Sequence, residues 1–166
     1  LCAAAMTQSD NTAANLLLAT IGGPAGIGVF ARTLGDADTR LDRMETELNS
    51  ANPGDTRDTT TPQAMLGNLR DLLLGEALSE GSRTRLLGWM RANTTGGARL
   101  RAGLPPDWQI GDKAGSGARG TTNDIAILWP PGGKPLLFCA YLTHSKLDSG
   151  KRDAIHAALA RALSAR

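Results

Sequence analysis

The stretch from Arg40 to Pro62 constrains the chain most, because it holds no sustained helical or strand period and is dense in Asn, Asp, Thr, Pro and Gly. Inside a compact chain it reads as one long loop, and loops of such length are functional or disordered. Charge placement favours order. Arg40 and Arg43 open the stretch, Asp55 and Asp58 close it, and pairing between them would clamp the ends into an Ω-type loop. That would hold Glu45 and Asn49 in fixed relation, and a carboxylate with an amide four positions on is suited to clamp one water, with the carboxylate as general base. Taken alone the stretch also fits a solvated, charge-mixed surface loop; its neighbours decide.

Around the loop, local patterns give most of the elements. Residues 1 to 8 read as a helix end or buried connection into Ser9. Asp10 is a possible N-cap for the run Thr12 to Ile21, which is apolar nearly all round and so predicts a helix buried in a helical layer. After Gly22-Gly23, Pro24 suits the first turn of a short helix with Ile27, Phe30, Ala31 and Leu34 inward, stopped at Gly35. Thr61-Pro62 starts a helix whose stripe is Met65, Leu66, Leu69, Leu72 and Leu73, and Ser79 or Ser82 starts another with Leu86, Leu87 and Met90 as its apolar side.

The last third changes character. Trp108 to Gly115, Thr122 to Trp129 and Leu136 to Thr143 read as three strands, the last two joined at Pro130-Pro131-Gly132-Gly133. Consecutive apolar residues from Leu136 to Ala140 predict a strand covered on both faces. A final helix is expected to turn Ala154, Ile155, Ala158, Leu159, Ala162 and Leu163 towards the sheet and Lys151, Arg152 and Arg161 towards water. The fold class is therefore α+β, or a mixed helical domain beside an α/β sandwich, with a mainly helical part over residues 1–100, including the loop at 40–62, and a sheet with a covering helix over 101–166.

Composition narrows the function classes. The 166 residues are 41% hydrophobic, enough for an ordinary single core. Eighteen Lys and Arg are scattered among sixteen acids for a net charge of +2. There is no basic block, so a nucleic-acid partner is not expected. Residues 11 to 31 are uncharged, but Gly22-Gly23-Pro24 splits them, which favours two buried helices over a membrane span. Cys2 and Cys139 make neither a disulfide framework nor a metal site and read as small buried hydrophobes. No cofactor or metal is implied. His144 and His156 are assigned no role. No signal peptide stands out, and the opening Leu1-Cys2-Ala3 in mid-apolar segment predicts the back part of a longer polypeptide.

Three short elements fall in order: Ser9-Asp10-Asn11, the loop with Glu45 and Asn49, and Lys113-Ala114-Gly115. Together they resemble the class A (serine) β-lactamases, whose Ser-Asp-Asn and Lys-Thr-Gly boxes are a known signature. The resemblance covers essentially the whole chain and implies a helical domain beside a sheet domain with the active site between. It implies Ser9 as the hydroxyl relaying a proton to the lactam nitrogen, Asn11 as a holder of the substrate's side-chain amide, and Asp10 as a buried residue shaping the turn. Lys113 would supply positive potential beside Ser9 and the substrate carboxylate, and Gly115 belongs to the same box. The Ser116 backbone N–H would form half of the oxyanion hole.

Ala114 departs from the family pattern by lacking the threonine hydroxyl, a loss for which Ser116 and Arg99 would compensate at the substrate carboxylate. Glu45 would be the deacylation base and Asn49 its partner on the water, and the resemblance implies a cis Glu45–Thr46 bond. Gly117 excludes a disulfide found near this strand in some carbapenem-hydrolysing relatives.

The family's Ser-x-x-Lys nucleophile box has no match here, since no serine is followed three positions later by lysine. The reading is thus the C-terminal part of a periplasmic or secreted β-lactamase, a monomer when complete. Its partners would be a β-lactam substrate and its own N-terminal part, which would bring the N-terminal strands and the nucleophile helix. Alone, this segment is expected to be inactive and poorly stable, with Leu136–Thr143 as an exposed apolar edge. Two alternatives stand beside it: a non-catalytic β-lactam-binding piece, and a D,D-peptidase or penicillin-binding relative.

Overall fold

A computed structural model describes residues 1–165 as an α+β fold. Helices α1 (Cys2–Gln8), α2 (Asn11–Thr20) and α3 (Ala25–Thr33) precede the loop, and α4 (Pro62–Leu73), α5 (Glu80–Arg91) and the single turn α6 (Leu100–Gly103) follow it. Strands β1 (Gln109–Gly117), β2 (Thr121–Trp129) and β3 (Leu136–Leu142) form an antiparallel sheet in the order β1-β2-β3, and α7 (Ser149–Ser164) comes last. Caps set the helix starts where the sequence suggested. The Asp10 carboxylate accepts the Ala13 N–H at 2.7 Å. The Thr61 hydroxyl accepts that of Ala64 at 3.1 Å, and the Ser79 hydroxyl that of Ser82 at 3.3 Å. Each satisfies a donor that has no partner within its helix.

Side chains alternate across a strand, so the sheet serves two cores at once. Ile127 packs with Leu69, Leu73 and Met90 of α4 and α5 on one face. Ala126 and Leu128 pack with Leu100 and Ala160 of α6 and α7 on the other. Gly103 permits the second layer: a methyl group built there would overlap the Ala157 carbonyl oxygen and lie 2.9 Å from the Ala160 Cβ.

Several expectations are corrected. Helices α2 and α3 are not buried; they bury Ala13, Leu18 and Ala31, while Leu16, Ile21, Val29 and Phe30 are exposed, because only one narrow side of each meets the rest of the chain. No single described helix is long and apolar enough to cross a membrane, and this pair is bent by 68°. On α7 Leu163 packs inward as expected, but the buried residues are His156, Ala157 and Ala160, with Ile155 and Leu159 exposed, because the close approach of Gly103 to the helix selects the small Ala157 and Ala160. Arg152 does not simply face water but donates to the Thr122 hydroxyl (2.9 Å). Strand β3 is an edge of the described sheet. It buries only Ala140 and exposes Leu136. Cys2 is exposed rather than buried, and Cys139 is half-buried; both are free.

A buried carboxylate fixes where the loop begins. Asp36 accepts the N–H groups of Asp38 (2.8 Å) and Thr39 (2.9 Å) through one oxygen and the Asn68 amide of α4 (2.6 Å) through the other. Burial works against its charge, but the hydrogen bonds from Thr39, Asn68 and Asp38 outweigh that and hold its pKa at about 2, below the ordinary 3.8. Hydrogen bonds to the charged form favour that form.

Gly103→Ala should lower stability by about 1–3 kcal/mol or more through overpacking. Gly67→Ala in α4, with nothing within 4 Å of the added methyl, should instead raise it by about 0.5–1 kcal/mol; urea midpoints measure both. Because its folded pKa of about 2 lies below the unfolded one, Asp36 contributes stability above about pH 4 and loses it as pH falls through the folded value. Asp36→Asn should therefore flatten the decline of the urea midpoint across that window, and an unchanged decline would contradict the assignment.

Candidate active site

The loop closes at its neck through two aspartates rather than through cross-pairing of all four charged residues. Asp58 accepts the backbone N–H groups of Asp42 (2.7 Å) and Arg43 (2.9 Å) on one oxygen and the Arg43 guanidinium (2.5 Å) on the other. Asp42 reciprocates by accepting the Asp58 N–H (3.0 Å). Arg40 is corrected: it makes a bidentate pair with Asp42 (2.8 and 2.6 Å), not with Asp55 or Asp58, so it joins the clamp only at second hand. Asp55 pairs with Arg57 (2.8 Å) and stands 4.0 Å from Arg43. The reason is local, since a neighbour two residues away reaches more readily than one across the neck.

Inside the neck a single 3₁₀ turn, Glu47–Asn49, brings the Asn49 amide to the Glu45 carboxylate (2.6 Å). The Glu45–Thr46 peptide is cis. Asn15 of α2 holds Glu45 from the other side: its amide donates to the Glu45 carbonyl (2.9 Å) and its carbonyl oxygen accepts the Glu45 N–H (2.8 Å). Sequence reading missed Asn15. Its signal was a polar residue in an apolar helix, one turn after Asn11 and so on the same face.

Glu45 and Asn49 share a cleft of 420 Å³ with Ser9, Asp10, Asn11, Thr95, Arg99 and Lys113 to Ser116. Ser9 caps α1 in a left-handed conformation (φ 54°), which turns the chain into α2. Asp10 is exposed rather than buried, and its role as N-cap is what shapes the turn. The Lys113 ammonium donates to the Ser9 hydroxyl and to the Ala114 carbonyl (2.8 Å). Burial lowers the Lys113 pKa and Arg99 acts in the same direction, against Asp112, Asp124 and Glu45, whose charges raise it. Desolvation disfavours an ammonium, and the carboxylates only partly offset it.

Arg99 is buried and spends four of its five donors on protein. They go to Asp153 (2.9 Å), to the carbonyls of Gly115 and Asn123 (2.8 Å each) and to the Ser116 hydroxyl (2.6 Å). One Nη2 hydrogen is left over. Because Ser116 accepts from Arg99, its own hydroxyl hydrogen is free to donate into the cleft. Ala114 lines the cleft but is itself buried and brings no polar side chain.

Beneath Lys113 lie two buried carboxyls that the sequence did not single out. Asp112 pairs with Arg101 (2.6 Å) and accepts the Asn93 amide (2.8 Å). Asp124 has one oxygen without a partner, and burial together with the charge of Asp112 pushes its pKa up to about 7. His156 is buried with Nε2 3.0 Å from the Thr122 carbonyl, which requires the proton on that nitrogen. Among the described residues no group of His, Cys, Asp and Glu is arranged to hold a metal ion.

The same arrangement of chain occurs in known proteins. The family model described as the β-lactamase enzyme family matches residues 1–166. β-Lactamase CTX-M-25 of Escherichia coli is 53% identical over 161 residues, 97% of this chain and 55% of the relative; β-lactamase OXY-2 of Klebsiella oxytoca is 51% identical over 97% and 56%. Among solved structures, the class A β-lactamase of the last common ancestor of Gram-negative bacteria superposes with a TM-score of 0.97 at 59% identity, over 99% of this chain and 63% of that one. The putative class A β-lactamase PenP from Rhodopseudomonas palustris gives 0.97 at 58%, over 99% and 63%. The chain thus spans a little over half the length of the curated relatives it matches. It belongs to the β-lactamase enzyme family, with the class A fold.

Proposed function

We propose that this chain supplies the proton-relay, carboxylate-binding and deacylation half of a serine β-lactamase site. The observation that carries the reading is the Glu45–Asn49 pair (2.6 Å), held by Asn15 and facing Lys113 and Ser9 across one cleft. The acylated serine and its lysine come from the N-terminal part of the same enzyme, within the length by which the relatives exceed this chain. The exposed apolar residues Leu136, Ile155 and Leu159 are suited to pack against that part.

In acylation the serine oxygen attacks the lactam carbonyl as its proton passes to the lysine of its own segment, and the C–N bond breaks. Ser9, polarised by Lys113, passes its proton to the departing nitrogen and takes the serine's proton in turn from that lysine. The substrate carboxylate meets the free hydroxyl hydrogen of Ser116 and the remaining Nη2 hydrogen of Arg99, which together stand in for the threonine hydroxyl that Ala114 lacks. Asn11 receives the side-chain amide. In deacylation a water between Glu45 and Asn49 gives its proton to Glu45 and attacks the ester carbonyl. The serine oxygen leaves and takes that proton back from Glu45, and the product is the ring-opened acid. Export to the periplasm or medium, and a monomeric complete enzyme, accompany this reading.

In the complete enzyme, Glu45→Gln should slow deacylation by about 10²–10⁴-fold while acylation persists, so denatured mass spectrometry after brief exposure to a penicillin should show an adduct of one intact drug molecule. An adduct that persists equally in the unaltered enzyme would turn the assignment towards a D,D-peptidase, and no adduct in either towards a binding protein.

A further inference from the structure

The turn Asn49–Asn52, on the far side of the loop from its neck, is tied to the open end of the sheet by contacts that no step of the reaction uses. The Ala118 N–H donates to the Asn49 carbonyl (2.8 Å). Arg119 places both Nε (3.0 Å) and Nη2 (2.6 Å) on the single side-chain oxygen of Asn52. His144, just past β3, sets Nε2 3.1 Å from the Ala51 carbonyl. Since a carbonyl only accepts, the ring proton sits on Nε2 in that contact.

Three of these residues adopt left-handed backbone without being glycine: Ala51 (φ 46°), Arg119 (φ 55°) and His144 (φ 54°). Such conformations persist only where the surroundings over-determine them, and here all three meet at one seam. The seam is also close. A Cβ at Gly117 would stand 3.0 Å from the Asn49 carbonyl oxygen, so the missing side chain at this position is what lets the loop lie this near β1. The Ala118 N–H and the Arg119 guanidinium then oppose outward movement of the turn.

We infer that Arg119 is a positioning residue: by gripping Asn52 it holds the Asn49–Asn52 turn against the β1–β2 turn and so sets the distance of the Glu45–Asn49 pair from β1. This rests on the deacylation role given to that pair. Because the Asn49 amide is bonded to the Glu45 carboxylate, a shift of the Asn49 backbone reaches the water site without any contact between Arg119 and substrate. The contact is an exposed guanidinium on a neutral amide, strong enough to bias the turn and weak enough to leave the fold intact.

The test is made in the complete enzyme with Arg119→Ala, Asn52→Ala, the double variant and Arg119→Lys. Hydrogen exchange at the Ala118 amide should speed up about tenfold in each alanine variant and no further in the double, with lysine intermediate. Deacylation-limited kcat should fall about tenfold while kcat/KM stays within about twofold, since acylation does not use the Glu45 water. Unchanged exchange, additive single effects, or a parallel fall of kcat and kcat/KM would overturn the assignment. Exchange needs no turnover, so if the parent enzyme hydrolyses no β-lactam the functional reading fails while the strap is still decided.

Discussion

Asp58 is the group on which the site hangs. Its side chain is 2% exposed, and its two oxygens gather two backbone N–H groups and the Arg43 guanidinium across the neck of the loop. A buried carboxylate with three donors is stable only as a set, since removing any one leaves charge or donors unmet in a poorly solvated place. The neck closes the segment between Asp42 and Asp58 into a ring of chain. Without that closure, nothing local would hold Glu45 against Asn49, because the intervening residues make only a single 3₁₀ turn.

The rest of the architecture presents surfaces to that ring. Strand periodicity lets one sheet hold Lys113 at the cleft while its other face anchors α6 and α7, and α7 in turn contributes Asp153, which orients Arg99. The start of the loop is fixed through Asp36 by α4, its Glu45–Asn49 turn by Asn15 on α2, and its far side by Ala118 and Arg119 of the β1–β2 turn. Three separate elements thus position one irregular segment. Positioning of this kind places reactive groups to within fractions of an ångström, which loop propensity alone does not provide.

Sequence and structure part where burial depends on distant chain. The helix starts at Asp10, Thr61 and Ser79 and all three strands were legible, since caps and period-two runs are local signals. The apolar runs of α2, α3 and α7 were legible as helices but not as to which side turns inward. On α7 the decisive fact is the backbone approach at Gly103, which admits Ala157 and Ala160 and turns the larger Ile155 and Leu159 outward. Arg40 shows the same limit in electrostatics, for charge order along the chain does not say which carboxylate a guanidinium reaches first.

Local chain patterns were enough to give the α+β class and the closed loop as the organising segment, and the resemblance carried by three short boxes grouped Ser9, Asn11, Glu45, Asn49 and Lys113, which the structure brings to one cleft. Packing settled the rest: that Asn15 grips Glu45, that Arg99 meets Ser116, that Asn93 meets Asp112 beneath Lys113, and that Arg119 straps the loop. Each is a hydrogen bond between residues 17 to 67 positions apart, and such contacts are selected by how layers pack rather than by any pattern a single segment carries.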